Sequence, residues 1–115
     1  MQKYMFLFRG GDAARAAASP EDMQQHLKKW GAWFKGLGDK DQFLGGEPLD
    51  FTGKVLSGRK KTLSDGPFAE AKDLVGGYAV IKAASLDDAV EIARGCPIFE
   101  HDGILEVRPV REMQM

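Results

Sequence analysis

Lys3-Tyr4-Met5-Phe6-Leu7-Phe8-Arg9 is the stretch on which the fold of this chain turns. Its period is two. Tyr4, Phe6 and Phe8 share one face, and Met5 and Leu7 share the other. Alternation of that kind reads as a β-strand, and apolar side chains on both faces call for cover on both sides. The cover on one side follows directly. Ser19-Pro20-Glu21-Asp22 is a helix start, with a serine to cap, a proline suited to the first turn and acids at the positive helix end. Met23, Leu27, Trp30, Phe34 and Leu37 then recur at intervals of three and four, the stripe of an amphipathic helix of about five turns that Gly36 and Gly38 bring to a stop.

Further along, residues 42–50 read as a short strand. Pro48 places it at a sheet edge or a bulge. Gly53 and Gly58 punctuate a polar hairpin carrying Lys54, Arg59, Lys60 and Lys61, bases that suit a solvated edge or, as the lesser reading, an anion-binding patch. Leu74 to Ala83 is a strand, with Gly76-Gly77 allowing a bend. Ser85-Leu86-Asp87-Asp88 begins a second helix with Leu86, Ala89, Val90 and Ala93 as its buried stripe, and Gly95 and Pro97 end it. Ile104 to Val110 is the last strand, with Ile104, Glu106, Arg108 and Val110 on one face and Leu105 and Val107 on the other.

The order is that of the split βαβ unit. The expectation is an α+β fold: a ferredoxin-like βαββαβ protomer with an extra hairpin, one domain over residues 1–115. Two helices cover one face of a four-stranded sheet and leave the other bare. An apolar patch of that size is unusual on a monomer, so a two-fold homodimer packing sheet against sheet is expected.

Composition excludes several classes. The chain has 115 residues, 43% apolar and 29% charged, with a formal net charge of −1. The charges are intermixed, so neither nucleic acid nor an anionic membrane is an expected partner. No run approaches a membrane span, and the start lacks the pattern of a signal peptide. The lone cysteine, Cys96, rules out an internal disulfide and a multi-cysteine zinc site. A cytoplasmic location follows as the simplest reading. No phosphate loop, dinucleotide fingerprint or hydrolase elbow is present, and no cofactor or metal is expected.

Asp65-Gly66-Pro67-Phe68-Ala69-Glu70 has a physical reading of its own. Aspartate at the head of a turn accepts backbone hydrogen bonds, glycine tolerates positive φ, proline fixes its φ, and Phe68 anchors the turn. With the strand that follows, the segment resembles the DGPF-type branch of the YCII-related family. Lys3-Tyr4-Met5, Leu44-Gly45-Gly46-Glu47-Pro48-Leu49, Cys96-Pro97 and Glu106-Val107-Arg108-Pro109-Val110 match the same family in order. The resemblance implies a dimeric α/β barrel built from ferredoxin-like protomers. It also implies bacterial proteins of largely uncharacterised function, some linked to extracytoplasmic-function sigma factors and a few acting as dehalogenase-like or isomerase-like enzymes. YCII-type relatives carry a helix histidine and a following aspartate proposed as a catalytic pair. His26 and Asp39 stand in comparable places here.

From the residues alone, His26 is the sharpest candidate, at the edge of the helix stripe and suited to acid–base work near neutral pH. Tyr4, Tyr78, Glu106 and Arg108 are expected on the uncovered face of the sheet. Tyr4, Asp65, Glu70, Tyr78 and Arg108 are the candidate ligand-binding residues. Arg108 with Glu106 is either a structural ion pair or an anion clamp. His101-Asp102 reads as a loop pair, and Glu100 beside it is too little for a metal site. Cys96, at a helix end whose dipole raises its thiol pKa, is not a nucleophile. Two functions stand side by side. One is a small-molecule enzyme or ligand-binding protein, with a pocket between the first helix and the sheet or at the dimer mouth, lined by His26, Asp39, Asp65 and Tyr78. The other is a non-catalytic dimeric interaction or regulatory module.

Overall fold

A computed structural model describes residues 1–11, 16–66 and 73–113. Its elements run β1 (Gln2–Arg9), α1 (Pro20–Asp39), β2 (Phe43–Pro48), β3 (Gly53–Ser57), β4 (Thr62–Gly66), β5 (Val75–Ala83), α2 (Leu86–Arg94), a 3-10 helix (Pro97–His101) and β6 (Ile104–Pro109). The main sheet has four strands in the order β2-β5-β1-β6, every neighbouring pair antiparallel. With the β3–β4 hairpin set aside, this is the ferredoxin-like order. The two most apolar strands are central. β2, which contains Pro48, lies at an edge, where a missing N–H costs no ladder bond.

Register decides which side chains face the helices. Tyr4 pairs with Ile81, Phe6 with Ala79 and Val107, and Phe8 with Gly77 and Leu105. These residues form the helix-covered face, where Tyr4, Phe6 and Ile81 are fully buried. Met5 pairs with Val80 and Arg108, and Leu7 with Tyr78 and Glu106, on the second face. Tyr78, Glu106 and Arg108 therefore lie on the uncovered side. Tyr4 does not. It shares parity with Phe6 and Phe8, and its hydroxyl donates to Gln2 Oε1 at 2.9 Å. The molecule is correspondingly flat, 46 × 45 × 19 Å across its Cα atoms.

α1 begins at the expected cap, with Ser19 Oγ accepting from the Asp22 N–H at 3.1 Å. Its buried stripe, however, is rotated from the one that the sequence suggests. His26 and Leu37 are its buried residues, with Trp30, Trp33 and Phe34 packed against the core, while Leu27 is exposed. The reason is aromatic packing. Trp33 stacks on Phe6 with ring centroids 6.2 Å apart, and Trp30 meets Phe8 edge-on at 5.1 Å. Turning both indoles onto the sheet carries His26, one turn before Trp30, inward with them.

Where the sequence reads as a loop before the last strand, Pro97–His101 form the 3-10 helix. Pro97 opens it, and Asp102, with φ of 61°, closes it in the left-handed region. Gly103 then lets the chain pass against Ile98: a Cβ there would stand 2.4 Å from Ile98 Cγ1. This tight pass sets Glu100 and His101 beside α1.

Candidate functional site

Between α1, the sheet and the 3-10 helix lies a cleft of about 520 Å³. The helix supplies His26, Trp30 and Phe34, β1 supplies Phe8, and β2 supplies Phe43, while Gly46 on β2 and Gly77 on β5 keep its floor low. Gly46 is confined to glycine by β5, since a Cβ there would fall 2.4 Å from the Tyr78 carbonyl oxygen. His101 and Ile98 close one end. The walls are thus aromatic, with few polar side chains, which is the usual make-up of a small-molecule site.

His26 is the chemical centre of this cleft. Its side chain is buried, and both ring nitrogens are engaged. The indole N–H of Trp30, which can only donate, reaches Nε2 at 2.8 Å. Nε2 is therefore the acceptor, and the neutral ring carries its proton on Nδ1. That Nδ1–H donates to Glu100 Oε2 at 3.2 Å. Lys29 Nζ donates to the other oxygen of Glu100 at 2.8 Å. The bond from Lys29, and after it the one from His26, holds the Glu100 carboxyl below its ordinary range. The result is an ionised carboxylate that fixes the tautomer and tilt of a buried imidazole. His101 stacks on the same ring, with centroids 3.8 Å apart and planes 20° from parallel.

The acid paired with His26 is thus Glu100 and not Asp39. Thirteen residues along one α-helix separate two side chains by about 20 Å of rise. Asp39 instead takes an exposed ion pair with Lys35 one turn back, at 2.8 Å. Asp65 is also elsewhere. It lies within β4, pairs with Lys54 across the hairpin and is exposed. Glu70 and the Pro67–Glu70 turn fall outside the described residues. Tyr78 borders the cleft, with its register on the second face. Of the residues expected to line a pocket, His26 and Tyr78 border this cleft; Asp39 and Asp65 do not.

On the second face, Glu106 sits between two arginines. Arg9 approaches it at 3.2 Å and Arg108 at 3.7 Å, and Arg9 also reaches Asp73 at 3.4 Å. Arg108 is therefore one member of an ion-pair chain with Glu106 and Arg9. Cys96 is buried, and burial rather than the helix dipole pushes its thiol up to about 12, against a smaller lowering by the backbone at Ile98. A thiol in that state is inert.

Sequence reasoning missed Glu100 as the partner of His26, and with it the role of Trp30. One signal was present. Pro97 suits the first position of a helical turn, and Asp102-Gly103 is a helical stop, so the five residues Pro97–His101 form a turn that presents Glu100 and His101 one after the other. Among the described residues, no group of three or more His, Cys, Asp or Glu converges as a metal site would require. No helix among them is long and apolar enough to cross a membrane.

The chain belongs to the YCII-related domain family, whose model matches residues 3–114. No curated protein matches it. A solved structure to which it is similar is 5-chloro-2-hydroxyhydroquinone dehydrochlorinase from Burkholderia phenoliruptrix AC1100, in complex with 2,5-dihydroxybenzoquinone. The two share 16% sequence identity, with a TM-score of 0.43 over 90% of each chain.

Proposed function

We propose that this YCII-related chain binds a small, largely apolar cyclic ligand bearing an ionisable hydroxyl, and that His26 exchanges a proton with it. The observation that carries the reading is the place of His26, buried in the wall of an aromatic cleft with a carboxylate behind it. The roles follow from the hydrogen bonds. Glu100 accepts from Nδ1 and so leaves Nε2 as the basic atom. Trp30 donates to Nε2. A ligand hydroxyl takes the place of the indole and gives its proton to Nε2. The imidazolium then lies between the ligand oxyanion and the Glu100 carboxylate, with charge of opposite sign on each side. Aromatic walls supply the binding energy by burial, and the low dielectric there strengthens the proton-transfer pair.

The same reading includes a homodimer. Met5, Leu7, Tyr78 and Val80 form a half-buried apolar strip on the second face of the sheet. Packing that strip on its copy supports the barrel arrangement that the fold allows. Within the family, Asp65-Gly66-Pro67-Phe68 supports the DGPF-type branch, and the lone buried cysteine supports a reducing, cytoplasmic setting.

Phenol is a direct probe, being a ring that fits aromatic walls with one ionisable hydroxyl. Its affinity, read by calorimetry at neutral pH, is expected to fall at least about tenfold in His26→Phe, the equivalent of one lost hydrogen bond. Asp39→Asn is expected to bind as wild type does. Near-ultraviolet circular dichroism checks that each variant keeps its aromatic packing. Loss of phenol binding in Asp39→Asn, with binding retained in a folded His26→Phe, would overturn the assignment.

A further inference from the structure

The β3–β4 hairpin forms a sheet by itself, paired to no strand of the main one. Two strands alone are marginal in water and need a surface to pack on. Leu56 and Leu63 face each other across the hairpin, yet they are 66% and 62% exposed. A cross-strand apolar pair contributes only about 0.2–1 kcal/mol by itself, and most of this pair's surface still meets water. The hairpin therefore presents an apolar pair that stands exposed among the described residues.

Two further observations say what covers it. The first is continuity. Phe51, just before β3, is 47% exposed, and its ring lies 3.6 Å from where a Cβ on Gly76 would stand. Gly76 is the residue at which the β1–β5 register shifts, so Phe51 packs beside the bulged end of β5. Phe51 thus carries apolar surface from the end of β5 toward the root of the hairpin. The second is charge. Residues 53–66 carry four bases, Lys54, Arg59, Lys60 and Lys61, against one acid, Asp65, while the rest of the chain has twelve bases against sixteen acids. The arm is basic, and the body of its own kind is acidic.

We infer that the hairpin is a dimer arm: its Leu56–Leu63 face packs on a second copy of this chain, with Arg59, Lys60 and Lys61 against that copy's acidic surface. The inference rests on the homodimer reading given above and extends it from the sheet face to the arm. In a two-fold dimer each arm makes the contact once, so the arms clasp reciprocally.

Sedimentation equilibrium of the full chain tests it, on wild type, the double variant Leu56→Ser/Leu63→Ser, and Leu7→Arg on the sheet face. Both leucines are exposed, so their exchange leaves the fold intact, and the tryptophan circular dichroism verifies this. Wild type is expected to dimerise, the double variant to dimerise at least about tenfold more weakly, and added salt to weaken wild type by screening the basic tip. A wild-type dimer with an unchanged Kd in the double variant overturns the arm and leaves its leucines to a different partner, while the sheet dimer stands. Weakening by the double variant but not by Leu7→Arg supports the arm and sinks the sheet face. A wild type that stays monomeric at sub-millimolar concentration overturns both.

Discussion

His26 illustrates how a single side chain is read differently in one and in three dimensions. In the sequence it stands at the margin of a stripe defined by Met23, Leu27, Trp30, Phe34 and Leu37. In the structure it lies inside that stripe and Leu27 lies outside. Helical spacing marks a face only to within about one residue's turn of 100°, so neighbours on the edge exchange places when bulky rings choose their packing. Its acidic partner was not legible for a different reason. Glu100 is 74 positions away, and only the short 3-10 turn brings it to α1. Glu100 also carries a pH dependence. Its carboxyl is held below the ordinary value of 4.5, mainly by Lys29 and then by His26. A carboxyl depressed on folding stabilises the fold above its unfolded pKa, and that contribution is lost as pH falls through the folded value. Glu100→Gln is therefore expected to melt below wild type at neutral pH. The difference should shrink as pH drops below 4.5 and vanish at lower pH, as followed by thermal melts across an acid series. A gap that widens with acid would contradict the charge pairing.

At the level of elements, the strands and both long helices were legible because each carries its own local signals. Ser19 and Ser85 cap where expected, and the strand faces of β1 and β6 follow period two. What local signals do not contain is a register or a tertiary turn. Tyr4 was expected on the bare face with Tyr78, whereas the pairing of Tyr4 with Ile81 commits it to the core. The 3-10 helix is held by a close pass rather than by propensity, and Gly103 makes that pass possible. Gly103→Ala would set a methyl group 2.4 Å from Ile98 Cγ1 and 3.0 Å from the Ile98 carbonyl oxygen. Ile98 is itself buried and has little room to yield. A loss of about 1–3 kcal/mol is expected from overpacking of this kind. Urea unfolding measures the loss, and an unchanged midpoint would show that the turn does not depend on the glycine. The same exchange is expected to reduce phenol affinity, because it moves the helix that holds Glu100.

For the whole molecule, the split βαβ order predicted a sheet with one covered face, and the structure bears this out with a thin body and a half-buried apolar strip on the other side. The cleft was less legible, because it belongs to no element: α1, the main sheet and the 3-10 helix each give only a wall. The sequence points to a pocket between the first helix and the sheet or at the dimer mouth, lined by His26 and Tyr78, which border the cleft, and by Asp39 and Asp65, which lie at the helix end and on the hairpin. The account rests on that cleft receiving a ligand at His26. Its two tryptophans permit a direct reading. Trp30 lines the cleft and donates to His26, whereas Trp33 packs on Phe6 and is not part of the lining. In a nitrogen–proton correlation spectrum each indole N–H gives one signal. Titration with phenol is expected to move the Trp30 signal progressively as its bond to Nε2 is replaced, with Trp33 as an internal reference that stays nearly still. Movement of Trp33 alone, or of neither indole at millimolar phenol, would contradict the account.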